Sequence, residues 1–166
     1  MSTAAAPRNQ KGFTLVELII VILIIGILSA LALPRFINMG KDARIAKVQA
    51  IMGSVRSASE VVRAAALVRN ATGAAGAVSV DGVNITTVWG YPAGSAGANG
   101  AGGIVDAAGL DTTGNNADQV TLSGGGAAAL VIADKNAPTP NTCSVSYTQP
   151  AGNNAAPVVS MNTLGC

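Results

Sequence analysis

Gly12-Phe13-Thr14-Leu15-Val16-Glu17-Leu18-Ile19-Ile20-Val21-Ile22-Leu23-Ile24-Ile25-Gly26-Ile27-Leu28-Ser29-Ala30-Leu31-Ala32-Leu33-Pro34 is the stretch on which the reading of this chain depends. Between Phe13 and Leu33 it holds a single charge, Glu17. As a helix rising ~1.5 Å per residue, those positions span roughly 30 Å, the thickness of a bilayer's hydrocarbon core. A helix apolar on every face has no solvent side, so it does not suit the core of a small soluble domain. It belongs in lipid, or in an assembly that excludes water as lipid does.

Glu17 is the anomaly. A carboxylate costs about 2.5–3.5 kcal/mol at the centre of a bilayer, and less near an interface. It can lie near the headgroups and snorkel to water, or it can find a cation. A cut after Gly12 would leave a free α-amine on Phe13, four residues before Glu17 and on the same helix face. That amine could pair with Glu17 of its own chain or of a neighbour. Pairing with a neighbour would fix the register of packed helices, because a lone charge in an apolar bundle is heavily penalised.

Arg8 and Lys11, then Gly12, then Phe13-Thr14-Leu15-Val16-Glu17 and an apolar helix: this order resembles the cleavage and methylation signature of the type IV prepilins, of type IVa in particular. The resemblance implies a prepilin peptidase that cuts between Gly12 and Phe13, N-methylation of Phe13, and a role for Glu17 in guiding subunits into a filament. It also implies that Gly26 and Pro34 mark where the helix can soften on assembly. Pro34-Arg35-Phe36-Ile37-Asn38-Met39, Asp42-Ala43-Arg44, Trp89-Gly90-Tyr91-Pro92 and Thr142-Cys143-Ser144-Val145-Ser146-Tyr147 are similar to mannose-sensitive haemagglutinin pilins. Residues 93–126 resemble nothing in that family.

Lys and Arg number 10 and Asp and Glu 8, a formal net charge of +2. Arg8 and Lys11 account for that excess, so the chain from Phe13 onward is balanced. A neutral product is a poor nucleic-acid binder. Arg56, Arg63 and Arg69 could touch a DNA backbone, but such residues more commonly form a solvated face or pair with acidic residues of a neighbour. Cys143 and Cys166 lack CxxC spacing; behind a membrane anchor they read as one disulfide in an oxidising compartment. Positive residues lie on both sides of the apolar span, so the cysteines rather than the charges place the C-terminal domain outside. A secretory signal cut near Leu28-Ser29-Ala30 is the competing reading of the N-terminus, and it would leave a truncated, exposed helix.

The chain has no histidine, which removes the usual general base and a common metal ligand. GxSxG, HExxH and Walker patterns are absent from the sequence, so neither an enzyme nor a cofactor is expected. Asp106, Asp111 and Asp118 could contribute to a calcium site, but read better as solvated loop residues, and no metal site is expected. Asn70-Ala71-Thr72 and Asn84-Ile85-Thr86 fit the glycosylation acceptor pattern.

The expected fold is α+β. Residues 1–12 form a leader to be removed and residues 13–33 the transmembrane or filament-core half of a long helix. Residues 34–69 form its amphipathic half, and residues 70–166 a β-rich head closed by a C-terminal disulfide loop. Pro34 should kink or locally break the helix. Beyond it, Ile45, Val48, Met52, Val55, Val62 and Ala66 recur at helical spacing, with Gln49, Arg56, Glu60 and Arg63 on another face. Glu60 sits where it can pair with Arg56 and Arg63. A continuous helix from Phe13 to Arg69 would be roughly 85 Å long, too long for so small a globule, so half should protrude.

Asn70-Ala71-Thr72-Gly73 should stop the helix. Ala77–Val80 and Val83–Val88 around Asp81-Gly82 read as a hairpin with a type I′ turn, closed by Trp89-Gly90-Tyr91-Pro92. Ile104–Leu110 suits one or two helical turns. Gln119–Leu122, Ala128–Ala133, Thr142–Thr148 and Pro157–Met161 read as further strands of one antiparallel sheet. Alternation places Cys143, Val145 and Tyr147 on one face.

Three functions compete. The first is a major pilin polymerising with itself, held in the bacterial inner membrane before assembly and extracellular afterwards, dependent on the peptidase and the pilus assembly machinery that the resemblance implies. The second is a minor pilin or a type II secretion pseudopilin. The third is a single-pass membrane-anchored protein that never polymerises. Adhesion, motility and DNA uptake are not distinguished by the sequence, and no receptor is identified by it.

Overall fold

The computed structural model describes residues 12–95, 102–110 and 120–166; for 33–38 it describes the helical backbone without the side chains. It divides into two compact units, Met1–Gly40 and Lys41–Cys166. The boundary falls inside helix α1, Leu15–Val68, of 54 residues.

In the first unit α1 begins at Leu15, and Leu15–Ala32 is long and apolar enough to cross a membrane, with a mean hydropathy of 3.0 and none of it buried. The helical backbone continues through Pro34 with no break. A proline inside a helix forfeits one hydrogen bond and crowds the preceding turn, but flanking turns can carry it.

In the second unit the expected amphipathic pattern is the core. Val48, Ile51, Val55, Ala58, Val62 and Ala66 are buried. The helix ends as the sequence suggested, through a Schellman cap: Ala71 N–H donates to Ala66 C=O at 2.8 Å and Asn70 N–H to Leu67 C=O at 3.2 Å. Asn70 adopts φ 54°, the left-handed conformation that asparagine tolerates better than most residues.

The strands form two antiparallel sheets rather than the single one expected. The first contains β1 (Gly76–Val80), β2 (Val83–Val88) and β3 (Tyr91–Pro92), in that order. The second contains β4 (Val120–Gly124), β5 (Leu130–Asp134), β6 (Ser144–Thr148) and β7 (Val158–Asn162), each paired with the next. Asp81 and Gly82 both take positive φ, giving the type I′ turn in which Val80 pairs Val83. Trp89 and Gly90 repeat that geometry, and Val88 pairs Tyr91. The Trp-Gly segment therefore makes a second hairpin instead of merely closing the first.

The two sheets take different turns of α1. Val62 and Ala66 pack with Val78 and Ile85 of the first sheet. Val48, Ile51, Val55 and Ala58 pack with Leu130, Ile132, Val145 and Tyr147 of the second. A short helix α2, Ile104–Ala107, adds Ile104 and Val105 to that larger core. Cys143, Val145 and Tyr147 are all buried, as the alternation in β6 required.

Candidate functional site

The expected processing point is the start of α1. Gly12 and Phe13 precede the helix and are exposed, Phe13 by 85%. A Cβ built on Gly12 would meet nothing within 4 Å, so nothing in the subunit's own packing demands glycine there. Thr14 is the N-cap. Glu17 N–H donates to Thr14 Oγ1 at 3.2 Å, while Glu17 Oε2 accepts from Thr14 N–H at 3.4 Å and Oγ1 at 3.3 Å. This is a capping box, reciprocal satisfaction of donors that a helix start leaves open. It turns the Glu17 carboxylate back toward residues 13 and 14, where a cut after Gly12 would create the amine. Thr14 was missed in the sequence reading, although the pattern Thr14-x-x-Glu17 ahead of an apolar run announces it.

Downstream, Gly26 is exposed within α1, and a Cβ there would also meet nothing within 4 Å. The side chain of Pro34 lies outside the described residues.

The cysteines are joined. Cys143 and Cys166 form a disulfide across 23 positions, with both residues buried. The chain around it is further tied: Gly165 N–H donates to Thr142 C=O at 2.9 Å, and Arg44 Nε on α1 donates to the Cys166 backbone oxygen at 2.5 Å. The bridge therefore holds the last residues against both β6 and the helix.

The charges of Lys41–Arg69 separate into two groups. Arg44, Lys47, Arg63 and Arg69 are engaged inside the subunit. Lys47 pairs with the buried Asp134 at 2.9 Å. Arg63 donates to Trp89 C=O at 2.6 Å and lies 4.8 Å from the Tyr91 ring centroid. Arg69 donates to Ser79 C=O at 2.6 Å. The expected Glu60 pairs with Arg56 and Arg63 do not form, because the Arg63 head turns to the Trp89–Gly90 hairpin instead. Lys41, Asp42, Arg56 and Glu60 have no partner among the described residues. Of the three arginines that might have touched DNA, Arg63 and Arg69 are thus committed to backbone oxygens.

Asp106 accepts from Gly103 N–H at 3.0 Å at the start of α2. Asp111 and Asp118 lie outside the described residues. Asn70 is the helix cap described above, and Asn84 is an exposed residue of β2.

Residues 7–33 match the model of the prokaryotic N-terminal methylation motif. Over 50 residues the chain is 56% identical to the type IV narrow pilus major component PilA5 of Thermus thermophilus, which covers 30% of this chain and 43% of that protein. The likeness to these type IV pilins is confined to the N-terminal third of the chain. That segment is also 47% identical, over 51 residues, to the type IV major fimbrial protein FimA of Dichelobacter nodosus, covering 31% of this chain and 33% of that one. A 32-residue stretch is 66% identical to the type IV major pilin PilA of Myxococcus xanthus, 19% of this chain and 14% of that pilin. The chain thus spans less than half the length of the relatives it matches, and the likeness lies in the N-terminal segment rather than in the β-rich part. No solved structure matches the chain significantly.

Proposed function

We propose that this chain is a structural subunit of a type IV pilus, a major pilin that polymerises with itself after its leader is removed between Gly12 and Phe13. The observation that carries the reading is the exposed Gly12–Phe13 junction set directly before a wholly exposed apolar helix whose one acid, Glu17, is folded back toward that junction.

In the precursor, hydrophobic burial in the inner membrane holds Phe13–Leu33, with the head outside. Seventeen apolar side chains would otherwise face water, at a cost on the order of 25 cal/mol per Å². Prepilin peptidase cuts the leader, and the Phe13 amine is methylated. An assembly machinery then lifts the subunit out, since the chain itself carries no energy source. In the filament, apolar helices replace lipid with one another, and the Phe13 amine meets Glu17 of a neighbour. Glu17 must then exchange its Thr14 donors for the amine, a swap between two hydrogen-bonded states that never leaves the carboxylate bare. Gly26 and Pro34 are where the helix softens as the heads are drawn past one another.

Gly12→Ala tests it. The added methyl fits the subunit freely, so an effect on processing reflects the peptidase and not the fold. The variant should remain in the inner membrane with its leader attached and yield no fibres, while mass spectrometry of wild-type fibres should find a chain starting at methylated Phe13. Fibres from the variant, or an intact Met1 in wild-type fibres, would overturn the proposal. Wild-type fibres in which this chain is a trace component would point instead to a minor pilin or a type II secretion pseudopilin.

A further inference from the structure

β7 is the outer strand of the second sheet, and among the described residues no hydrogen bond reaches its backbone from the side away from β6. The edges of the first sheet are guarded. Arg69 donates to Ser79 C=O of β1, while in β3 Pro92 has no N–H to offer and its C=O accepts from Tyr147. β7 has only Pro157 at its start. Native edge strands are commonly protected by charge, yet residues 136–166 contain no Asp, Glu, Lys or Arg. Val158 and Met161 are 63% and 36% exposed. Beside the strand, Pro157, Val158 and Val159 share a groove of about 520 Å³ with Arg56, Ser59 and Glu60.

We infer that β7 is a strand-addition edge, pairing antiparallel with β7 of a second copy about a two-fold axis at Ser160. The pattern of the strand fixes the register. Val159 pairs with Tyr147 and Met161 with Val145, which places both on the core side, while Val158, Ser160 and Asn162 lie on the outer face. Centring on Ser160 sets each core-side residue opposite a core-side residue and each outward N–H and C=O opposite another outward pair. A slip of one residue would break both matches. Val159 then meets the second copy's Met161, and by symmetry the same apolar pair forms twice, extending each core across the joint. The two Ser160 hydroxyls meet on the outer face, a favourable cross-strand pair. Met161 of the second copy, set opposite Val159, comes to the groove that Val159 lines, and its unbranched side chain suits an irregular gap. A strand of the same uncharged sequence fits this edge, whereas a charged segment would find no counter-charge along it. The contact closes after two copies, so it joins subunits in pairs and is separate from the polymerisation proposed above.

A single cysteine tests it. Residues opposite one another in antiparallel strands lie about 4.5–5.5 Å apart at Cα, within reach of a disulfide. The full-length Ser160→Cys chain, extracted in detergent so that no bilayer imposes a common polarity, should oxidise to a disulfide-linked dimer and to nothing larger. The wild-type chain, whose Cys143 and Cys166 are already joined and buried, should stay monomeric on the same non-reducing gel. Ser79→Cys, on the edge that Arg69 guards, should also stay monomeric. Adding Met161→Lys to Ser160→Cys places a charge at the joint and should lower the dimer fraction at least tenfold, with the denaturant midpoint of the head unchanged. No dimer from Ser160→Cys, an equal yield from Ser79→Cys, species larger than dimers, or a dimer indifferent to Met161→Lys would each overturn the contact. None of these results touches Gly12 processing or fibre formation, which stand or fall by the experiments on Gly12.

Discussion

Tyr147 shows how one side chain joins the parts of the head. It is fully buried in β6, and its hydroxyl donates to Pro92 C=O at 2.7 Å, linking the second sheet to the last strand of the first. Burial pushes its phenol well above the ordinary value of 10.0, with the Ser59 hydroxyl partly opposing and Tyr91 adding to the rise. The folded chain therefore holds this proton more tightly than the unfolded chain does. Its contribution to stability is whole below about pH 10 and falls as pH climbs from there toward the folded value. Tyr147→Phe should cost about 1–3 kcal/mol, since Pro92 C=O is left buried without its donor. It should also flatten the alkaline limb of a denaturant-midpoint against pH plot. An unchanged limb would mean that another group governs alkaline unfolding.

At the scale of elements, the hairpin between β2 and β3 depends on α1. Trp89 sits at φ 53°, unfavourable for a bulky aromatic residue. Its N–H donates to Gly73 C=O at 2.8 Å and its C=O accepts from Arg63, so both peptide groups of the turn are tied down. Gly90, at φ 80°, follows, and a Cβ there would run into the Arg63 guanidinium. Arg63→Ala should free the turn and remove the cation over Tyr91, for a loss of about 2 kcal/mol. Hydrogen exchange should then accelerate at Trp89–Pro92 while the second sheet stays protected. Uniform acceleration across the head would show instead that the turn is not an independent element.

On the scale of the whole molecule, the disulfide is the covalent tie on an otherwise modest core. Closing a loop of this size constrains the unfolded chain by about 3 kcal/mol in the chain-entropy model. Reductant should therefore shift head unfolding by that amount, measured by denaturant titration, and expose the last strand to protease first. Arg44 loses its Cys166 partner in the same event. A reduced head with an unchanged midpoint would show that the hydrogen bonds around Gly165 suffice alone.

The sequence by itself determined what is local. The length and purity of the apolar run, the buried stripe of Lys41–Val68, the Asn70 stop, the Asp81-Gly82 turn and the alternation of β6 all depend on residues within a few positions of one another. Those short-range signals survive without knowledge of the fold. The Thr14–Glu17 box is of the same kind, since both partners lie within one helical turn. Tertiary structure alone decided where the arginines go and how many sheets there are. Arg63 meets the half-buried Trp89 carbonyl rather than Glu60, since an unpaired carbonyl shielded from water costs more than an exposed ion pair returns. The Trp89-Gly90 turn folds β3 back on β2, and the four strands after residue 119 form a sheet of their own. Pairings between residues tens of positions apart depend on which partner is buried beside which, and burial is a property of the folded chain.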